Sequence, residues 1–356
     1  MNILYGVQAT GNGHISRSRE VIRYLKEMGH SVQVLLSGRD PAQLWDMEVF
    51  EPYAALRGLT FITSRGKVRY FKTARQLDLV QFYRDIREFS ADGLDVVVTD
   101  FEPISARVAR RNRIPAIGLG HQYAFSFNIP IAGANPVARF IMRQYAFADF
   151  PVGLHWYHFD QPILPPIIPL FDAVQGESID SKVLVYLPFE NLEDILSVCQ
   201  PLSTFDFYIY RDIERPEDSG HIHLRPYSRQ GFLEDLHTCE TVISNAGFEL
   251  ASEALHLGKK IIAKPLAGQM EQLSNARALA ELGLAGVIQK LSLDAVSARL
   301  DHGSSPEVTY PDVARMAAEW IVQGNWDDTR DLCRRAWEQT KMDTVRSVAP
   351  VNAHIS

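Results

Sequence analysis

The sequence predicts an α/β protein built from two doubly wound domains, and three observations carry that prediction. Short apolar segments alternate with helix-length stretches up to about residue 150, and the same alternation restarts after residue 181. Several of these segments, such as VVV within 95–100 and VLL within 31–37, lack polar alternation. That pattern suits strands covered on both faces in a parallel sheet. Between the two runs, "DQPILPPIIPLFDAVQGESIDS" (160–181) carries Pro162, Pro165, Pro166 and Pro169 and no period. Residues before prolines are held extended, so this stretch reads as a connection. The expected boundaries are an N-terminal α/β domain 1–160, a linker 161–181, a second α/β domain 182–325, and a C-terminal helix and tail 326–356.

Taken in order, "ILYGVQ" (3–8) is a strand, followed by a helix over 14–28 with Ile15, Ile22, Leu25 and Met28 on one side. Next come a strand "SVQVLLS" (31–37), a helix near 40–48, a strand "LTFIT" (59–63) and a long helix near 73–91. "DVVVTD" (95–100) and "PAIGLG" (115–120) are strands around a helix at 104–112, and a helix near 135–148 follows. In the second domain the strands are 182–188, 205–210, 221–226, 241–245, 259–264 and 285–289, with helices between them. A helix near 327–341 ends the fold, and the last dozen residues read as frayed. Two such domains face each other across a cleft lined by the C-terminal ends of their strands, the expected ligand site.

A chain of 356 residues, 46% hydrophobic, is enough for two ordinary cores. The net charge of −7 argues against nucleic acid as a main partner, because phosphate binding relies on excess Lys and Arg. Cys199, Cys239 and Cys333 lie far apart and form no CxxC pair, which supports neither a disulfide framework nor a zinc site. "MNILYGVQ" runs straight into a strand and reads as having no signal peptide. No apolar run approaches the ~18 residues of a membrane span. A cytoplasmic protein is expected, with peripheral contact at the inner face of a membrane left open. "RGKVRYFKTARQ" (65–76) and "RVARRNR" (107–113) are basic stretches that could rest on anionic lipid, although solvated faces explain them as well.

Two glycine turns carry the chemistry. In "GVQATGNGHISRS" (6–18), Gly11, Asn12 and Gly13 stand between the first strand and its helix. Glycines let backbone N–H groups approach an anion, and the helix N-terminus adds positive potential. A plain tight turn explains this loop equally well. No acidic residue ends the second strand where a dinucleotide's ribose would need one, which disfavours a dehydrogenase. His14 at the helix start is kept neutral by the dipole and is a competent general base, or else it merely caps the helix. "TVISNAGFELASEAL" (241–255) is again strand, turn and helix, so the N–H groups at 245–248 can meet a diphosphate. Glu249 and Glu253 share a helix face, and Glu253 lies roughly 9 Å beyond Gly247 along the axis, within reach of ribose hydroxyls. Both are otherwise ordinary solvated surface. Glu271 and Gln272 follow the next strand, where hydroxyl-rich ligands can be read.

The pattern Ser-Asn-Ala-Gly…Ser-Glu-Ala…Gly-Lys…Pro-Leu…Glu-Gln…Asn-Ala at 244–276 resembles the donor half of GT-B glycosyltransferases. It is similar above all to family 28, which includes the enzyme that adds N-acetylglucosamine to the cell-wall lipid precursor, and to family 1. "GNGHISRS" resembles the His-containing loop of the same enzymes. The resemblance implies that Gly11, Asn12 and Gly13 line the cleft near the acceptor and the leaving diphosphate, and that His14 is the base. It further implies that Asn245, Ala246 and Gly247 face the donor phosphates, Glu253 the ribose, and Glu271 with Gln272 the sugar. Tyr227 and Ser228 fall where the nucleotide base is contacted.

The first strand of the second domain ends in "YLPFENLEDIL", without the Gly- or Ser-rich loop of the family. The family 1 aspartate has no aligned counterpart. Asp100 is the substitute candidate, orienting His14, acting as base itself, or simply capping the helix that follows.

The expected function is inverting, metal-independent transfer of a hexose or N-acetylhexosamine from a nucleotide-diphosphate sugar, UDP-linked by preference, to a hydroxyl acceptor such as a lipid or glycan. No cofactor is expected, and the chain has no Asp-x-Asp. A nucleotide-sugar epimerase of the same fold and a non-catalytic sugar-nucleotide sensor or scaffold remain as alternatives.

Overall fold

The computed structural model of the chain describes residues 1–44, 46–59, 63–64, 67–68, 78–133, 140, 142, 144–169, 177–301, 306 and 308–342. Two seven-stranded sheets organise them. The first contains β1 (Asn2–Gln8), β2 (Ser31–Ser37), β3 (Tyr53–Leu56), β4 (Val96–Asp100), β5 (Ala116–Gly120), β6 (Phe150–Leu154) and β7 (Ile163–Leu164). Their order is β3-β2-β1-β4-β5-β6-β7, and every neighbouring pair is parallel. The second contains β8 (Ile179–Tyr186), β9 (Asp206–Arg211), β10 (Glu217–Ser219), β11 (Ile222–Pro226), β12 (Cys239–Asn245), β13 (Lys260–Lys264) and β14 (Gly286–Val287). Here the order is β10-β11-β9-β8-β12-β13-β14, with β10 the antiparallel member. The apolar runs behave as parallel central strands do: all five residues of both β4 and β5 are buried.

Helices α1 (Asn12–Glu27), α2 (Leu79–Glu88), α3 (Pro103–Asn112) and α4 (His121–Ala124) belong to the first sheet. Helices α5 (Leu192–Cys199), α6 (Arg229–Thr238), α7 (Phe248–His256), α8 (Met270–Glu281) and α9 (Leu293–Asp301) belong to the second. The last pair, α10 (Val313–Gln323) and α11 (Arg330–Gln339), returns to the N-terminal domain. Tyr24 of α1 donates its hydroxyl to Asp312, and Trp337 Nε1 donates to the Ile163 carbonyl at 2.7 Å. This is the GT-B architecture.

Strand order reverses at β1/β4 in one sheet and at β8/β12 in the other. Such reversals open a crevice at the strand C-termini. Both glycine turns leave their sheets at these points. Val7 of β1 is in register with Asp100, and Tyr186 of β8 with Ser244.

Some expected elements differ. In place of the helix expected near 40–48 stand two short 3₁₀ turns, Pro41–Gln43 and Glu48–Phe50; Asp40 caps the first by accepting the Ala42 N–H, and the chain turns extended at Leu44. The third strand is Tyr53–Leu56, whose small Ala54 and Ala55 give little apolar signal; of the expected 59–63, residues 60–62 lie outside the described residues. Helix α2 starts at Leu79, where Asp78 accepts from the Gln81 N–H; residues 73–77 of the expected helix lie outside the described residues. Much of the expected helix 135–148 and the tail beyond 342 lie outside them too.

Strands β6 and β7 were hidden by Pro151 and Pro162, and β7 lies in the stretch expected as linker. Its Ile163 and Leu164, with Ile167 and Ile168, are buried. Of the two basic stretches, 65–76 falls almost wholly outside the described residues. In the other, Arg107 donates to the Pro103 and Tyr145 carbonyls and Arg111 to those of Ile86 and Arg87, so these cations tie the domain together. Among the described residues, no helix is long and apolar enough to cross a membrane.

Candidate active site

The N-terminal half of the site grows from the end of β1. Gly11 is the extended N-cap of α1 (φ −122°, ψ 144°), and no side chain caps the first turn. His14 and Arg17, three residues apart on α1, share a face and meet Asp100 at the end of β4. His14 Nδ1 lies 2.9 Å from Asp100 Oδ1. Arg17 grips both Asp100 oxygens, Nη2 at 2.6 Å and Nε at 2.8 Å, and Ser18 donates to the same carboxylate at 3.0 Å. Burial alone would push the Asp100 carboxyl up, but Arg17 and His14 more than reverse this and hold it below the ordinary carboxylate range. The helix cap expected as an alternative for Asp100 is supplied by Glu102, which accepts from the Ile104 and Ser105 N–H groups.

The same face of α1 meets the other domain. Arg17 Nη1 donates to Glu249 Oε2 at 3.0 Å, and the Ser16 hydroxyl to Glu253 Oε1 at 3.1 Å. A Cβ on Gly13 would lie 2.8 Å from the Cβ of Glu249, so a larger residue would force the helices apart. Glycine is needed here for close approach.

In the C-terminal half, Gly247 is the N-cap of α7. Its N–H already donates to the Asn245 carbonyl at 2.7 Å, so the N–H groups left for an anion begin with the helix first turn, at Phe248 and Glu249. Asn245 Nδ2 donates to the Lys264 carbonyl at 3.1 Å, and the Ala246 carbonyl accepts from Asn275 Nδ2. Glu249 and Glu253 are buried, not solvated. Burial pushes the Glu249 carboxyl up to about 8 although Arg17 pulls the other way, with Glu253 and Asp100 adding to the rise. Burial likewise pushes Glu253 up to about 7 against the bond from Ser16.

Glu271 and Gln272 open α8 and part company. Glu271 accepts from Gln122 Nε2 at 3.2 and 3.3 Å, which places it on the seam. Gln122 Nε2 is also 3.5 Å from His14 Nε2, and its Oε1 accepts from Arg17 at 3.4 Å. Gln272 instead uses Oε1 to accept the Leu266 N–H at 2.8 Å, holding the loop after β13.

Tyr227 packs edge-on against Tyr186, ring centroids 6.2 Å apart, and Ser228 caps α6 by accepting the Gly231 N–H. Asn12 reaches this cluster: its Oδ1 accepts from Arg39 at 2.7 Å, and its Nδ2 is 3.5 Å from the Tyr186 hydroxyl.

The sequence reading passed over Arg17, Ser16 and Gln122. Arg17 sits inside the quoted motif, one turn from His14, and helical spacing alone would have placed them side by side. Gln122 lies two residues past the end of β5, in α4, beside a strand C-terminus at the cleft. It also missed His121, buried and stacked on Phe248 with centroids 3.9 Å apart, whose Nε2 lies 2.7 Å from Asn275 Oδ1 across the seam. Among the described residues, no group of three or more His, Cys, Asp or Glu side chains is placed to hold a metal ion.

Comparisons with known proteins agree with this fold. The chain superimposes on a glycotransferase of kitacinnamycin with a TM-score of 0.60 at 16% identity, covering 95% of this chain and 97% of that one. The spinosyn rhamnosyltransferase SpnG complexed with thymidine diphosphate gives 0.59 at 14% identity, covering 94% and 96%. UGT89C1 of Arabidopsis thaliana, complexed with quercetin, gives 0.58 at 14%, covering 95% and 94%. At such identities these likenesses speak for the fold. No curated protein matches the sequence significantly. The sequence model of a family described as glycosyl transferase family 1 matches residues 1–138 and 157–302. The chain therefore belongs to glycosyl transferase family 1 and is a glycosyltransferase.

Proposed function

We propose that this enzyme moves a sugar from a nucleotide-diphosphate donor to a hydroxyl acceptor with inversion at the anomeric carbon, His14 acting as general base. The observation that carries the reading is the 2.9 Å contact between His14 Nδ1 and Asp100 Oδ1. In the tautomer that donates its Nδ1 proton to Asp100, the imidazole keeps a lone pair on Nε2, the atom nearer Gln122 on the seam. Arg17 Nη2, 2.7 Å from the same Nδ1, spends its N–H groups on Asp100 and Gln122. Asp100 is a positioning residue. It is held ionised below the ordinary carboxylate range and is already engaged by His14, Arg17 and Ser18, which makes it a poor base.

In the step itself, Nε2 takes the acceptor hydroxyl's proton as the oxygen bonds to the anomeric carbon. The bond from that carbon to the donor phosphate breaks, and the diphosphate leaves with the electron pair. Its growing charge meets the first turn of α7 and the N-terminus of α1, both aimed at the seam. Without an Asp-x-Asp in the chain, these helix ends are the natural partners for that charge. Glu253 is assigned to the ribose, Glu271 to the sugar, and Tyr227 with Ser228 to the base. Gln272 acts by holding the loop beside the sugar. Gly11, Asn12 and Gly13 close over the diphosphate from the other domain. UDP is the nucleotide favoured by the sequence reading, and the thymidine diphosphate in the related rhamnosyltransferase makes it the second to test.

The test is turnover of a nucleotide-sugar panel by wild type and His14→Ala. A positioned base contributes about 10²–10⁴-fold, so the variant should lose at least about 100-fold in kcat while nucleotide binding stays near wild type. Unchanged turnover in His14→Ala would remove the base assignment. Sugar release or epimerisation without an acceptor would point to another reaction at the same site.

A further inference from the structure

The seam around Arg17 holds more acid than base. Arg17 is matched by Asp100, whose two oxygens it contacts at 2.6 and 2.8 Å. Glu249 is a second carboxyl on the same guanidinium, reached through Oε2 at 3.0 Å and only 6% exposed. Its other oxygen, Oε1, is buried without a hydrogen-bond partner among the described residues. One cation cannot neutralise two buried carboxylates, and a buried acid left uncompensated takes up a proton instead.

The groups around Glu249 agree. From α1 it faces Arg17, which also contacts His14; from the end of β4 it feels Asp100; from its own helix, Glu253. Glu271 of α8 lies beyond Gln122, which bonds both it and Arg17. Arg17 is the one permanent cation among these named groups. Burial, with Glu253 and Asp100 behind it, pushes the Glu249 carboxyl up to about 8.

Position gives this side chain a task. Glu249 is the second residue of α7, in the turn assigned above to the donor diphosphate, and Gly13 in the first turn of α1 closes directly against it. Fully ionised phosphoryl oxygens only accept hydrogen bonds. An ionised carboxylate beside them repels, whereas a carboxylic acid donates.

We propose that Glu249 positions the donor as a neutral acid, with Oε1 carrying a proton and donating it to a phosphoryl oxygen while Oε2 stays on Arg17. This deepens the donor reading above and rests on it. Wherever Glu249 is ionised in the free protein, nucleotide binding then takes up a proton.

Calorimetry with UDP, and with thymidine diphosphate as a second probe, tests this on the full chain between about pH 7 and pH 10, where the terminal phosphate (second ionisation near 6) is already ionised. Glu249 should leave wild-type affinity unchanged up to about pH 8, and a step near pH 7 belongs to Glu253 and persists in Glu249→Gln. Above that, affinity should fall towards about tenfold per pH unit, with a heat that depends on the buffer's ionisation enthalpy and reports uptake approaching one proton. Glu249→Gln presents an N–H donor at every pH, so this slope and this proton uptake should vanish, and above about pH 9 it should bind more tightly than wild type. A flat wild-type profile with no buffer dependence would overturn the proposal, and that measurement needs no variant to fold. An undiminished slope in Glu249→Gln would overturn it as well. Absence of nucleotide binding at any pH would instead bring down the donor reading, and this proposal with it.

Discussion

Residues 6–18 and 241–256 share one architecture: a buried parallel strand, a short glycine turn at a switch point, and a helix whose first turn faces the seam. They differ in what lies one turn in. Helix α1 presents His14 and Arg17, and its own domain completes them with Asp100. Helix α7 presents Glu249 and Glu253, and their partners come from the opposite domain, Arg17 and Ser16. The same backbone device therefore serves two chemistries. The N-terminal turn is internally complete, whereas the C-terminal turn depends on closure of the seam. Side chains one helical turn beyond the glycines decide which is which.

The largest effect should come from the residue the two regions share. Arg17→Met leaves Asp100 and Glu249 buried without their cation, and breaking a buried pair from one side costs about 3–5 kcal/mol. Urea unfolding should show that loss, and Arg17→Met with Asp100→Asn should recover part of it. A loss below about 1 kcal/mol would mean that the seam opens and solvates both carboxyls, as at a surface pair.

A smaller effect separates the two partners of the Ser16–Glu253 contact. Glu253→Ala should weaken UDP binding by roughly 1–3 kcal/mol, the range for a lost hydrogen bond to a charged group. Ser16→Ala removes the seam partner while leaving Glu253 available, and should not weaken binding. Equal weakening in both variants would show that Glu253 acts through seam closure, not through the ribose.

The smallest effect is a pH dependence of opposite sign in the two regions. Glu249 and Glu253 have folded values near 8 and 7, raised above the ordinary 4.5. Their contribution is fully present below about 4.5 and is lost as pH rises through 7 and 8. Asp100 is depressed below 3.8, so its contribution is present above that value and lost as pH falls through its folded one. Raising pH from about 7 to about 9 should lower the wild-type Tm by a few degrees, at about 2–4 °C per kcal/mol for domains of this size. Glu249→Gln with Glu253→Gln should remove most of that decline. Parallel Tm curves for the two proteins would show that the carboxyls are not titrating in the seam.

Much of the fold was legible because parallel strands buried on both faces must be continuously apolar. Residues 31–37 were expected as a strand and are one, and 95–100 and 115–120 were each expected one residue longer than β4 and β5. Strands lacking that signal escaped: Ala54 and Ala55 are too small to mark β3, and Pro151 and Pro162 disguise β6 and β7. In the site, His14 and Asp100 attracted attention separately, each from its place at an element end. Nothing in 86 positions of separation says that they touch. Glu249 and Glu253 had the pattern of a solvated helix face, and the chain alone could not show that α1 of another domain covers them.

The sequence by itself determined the two α/β domains, the switch-point turns and the family, because apolar runs, glycines and short motifs act locally and leave a local record. Tertiary structure alone decided the chemistry of the seam. A guanidinium on α1 lies within 3.0 Å of carboxyls on β4 and α7, 83 and 232 residues away in the chain. Their ionisation follows from that packing, since burial and charge neighbours act through space and have no counterpart in the order of residues.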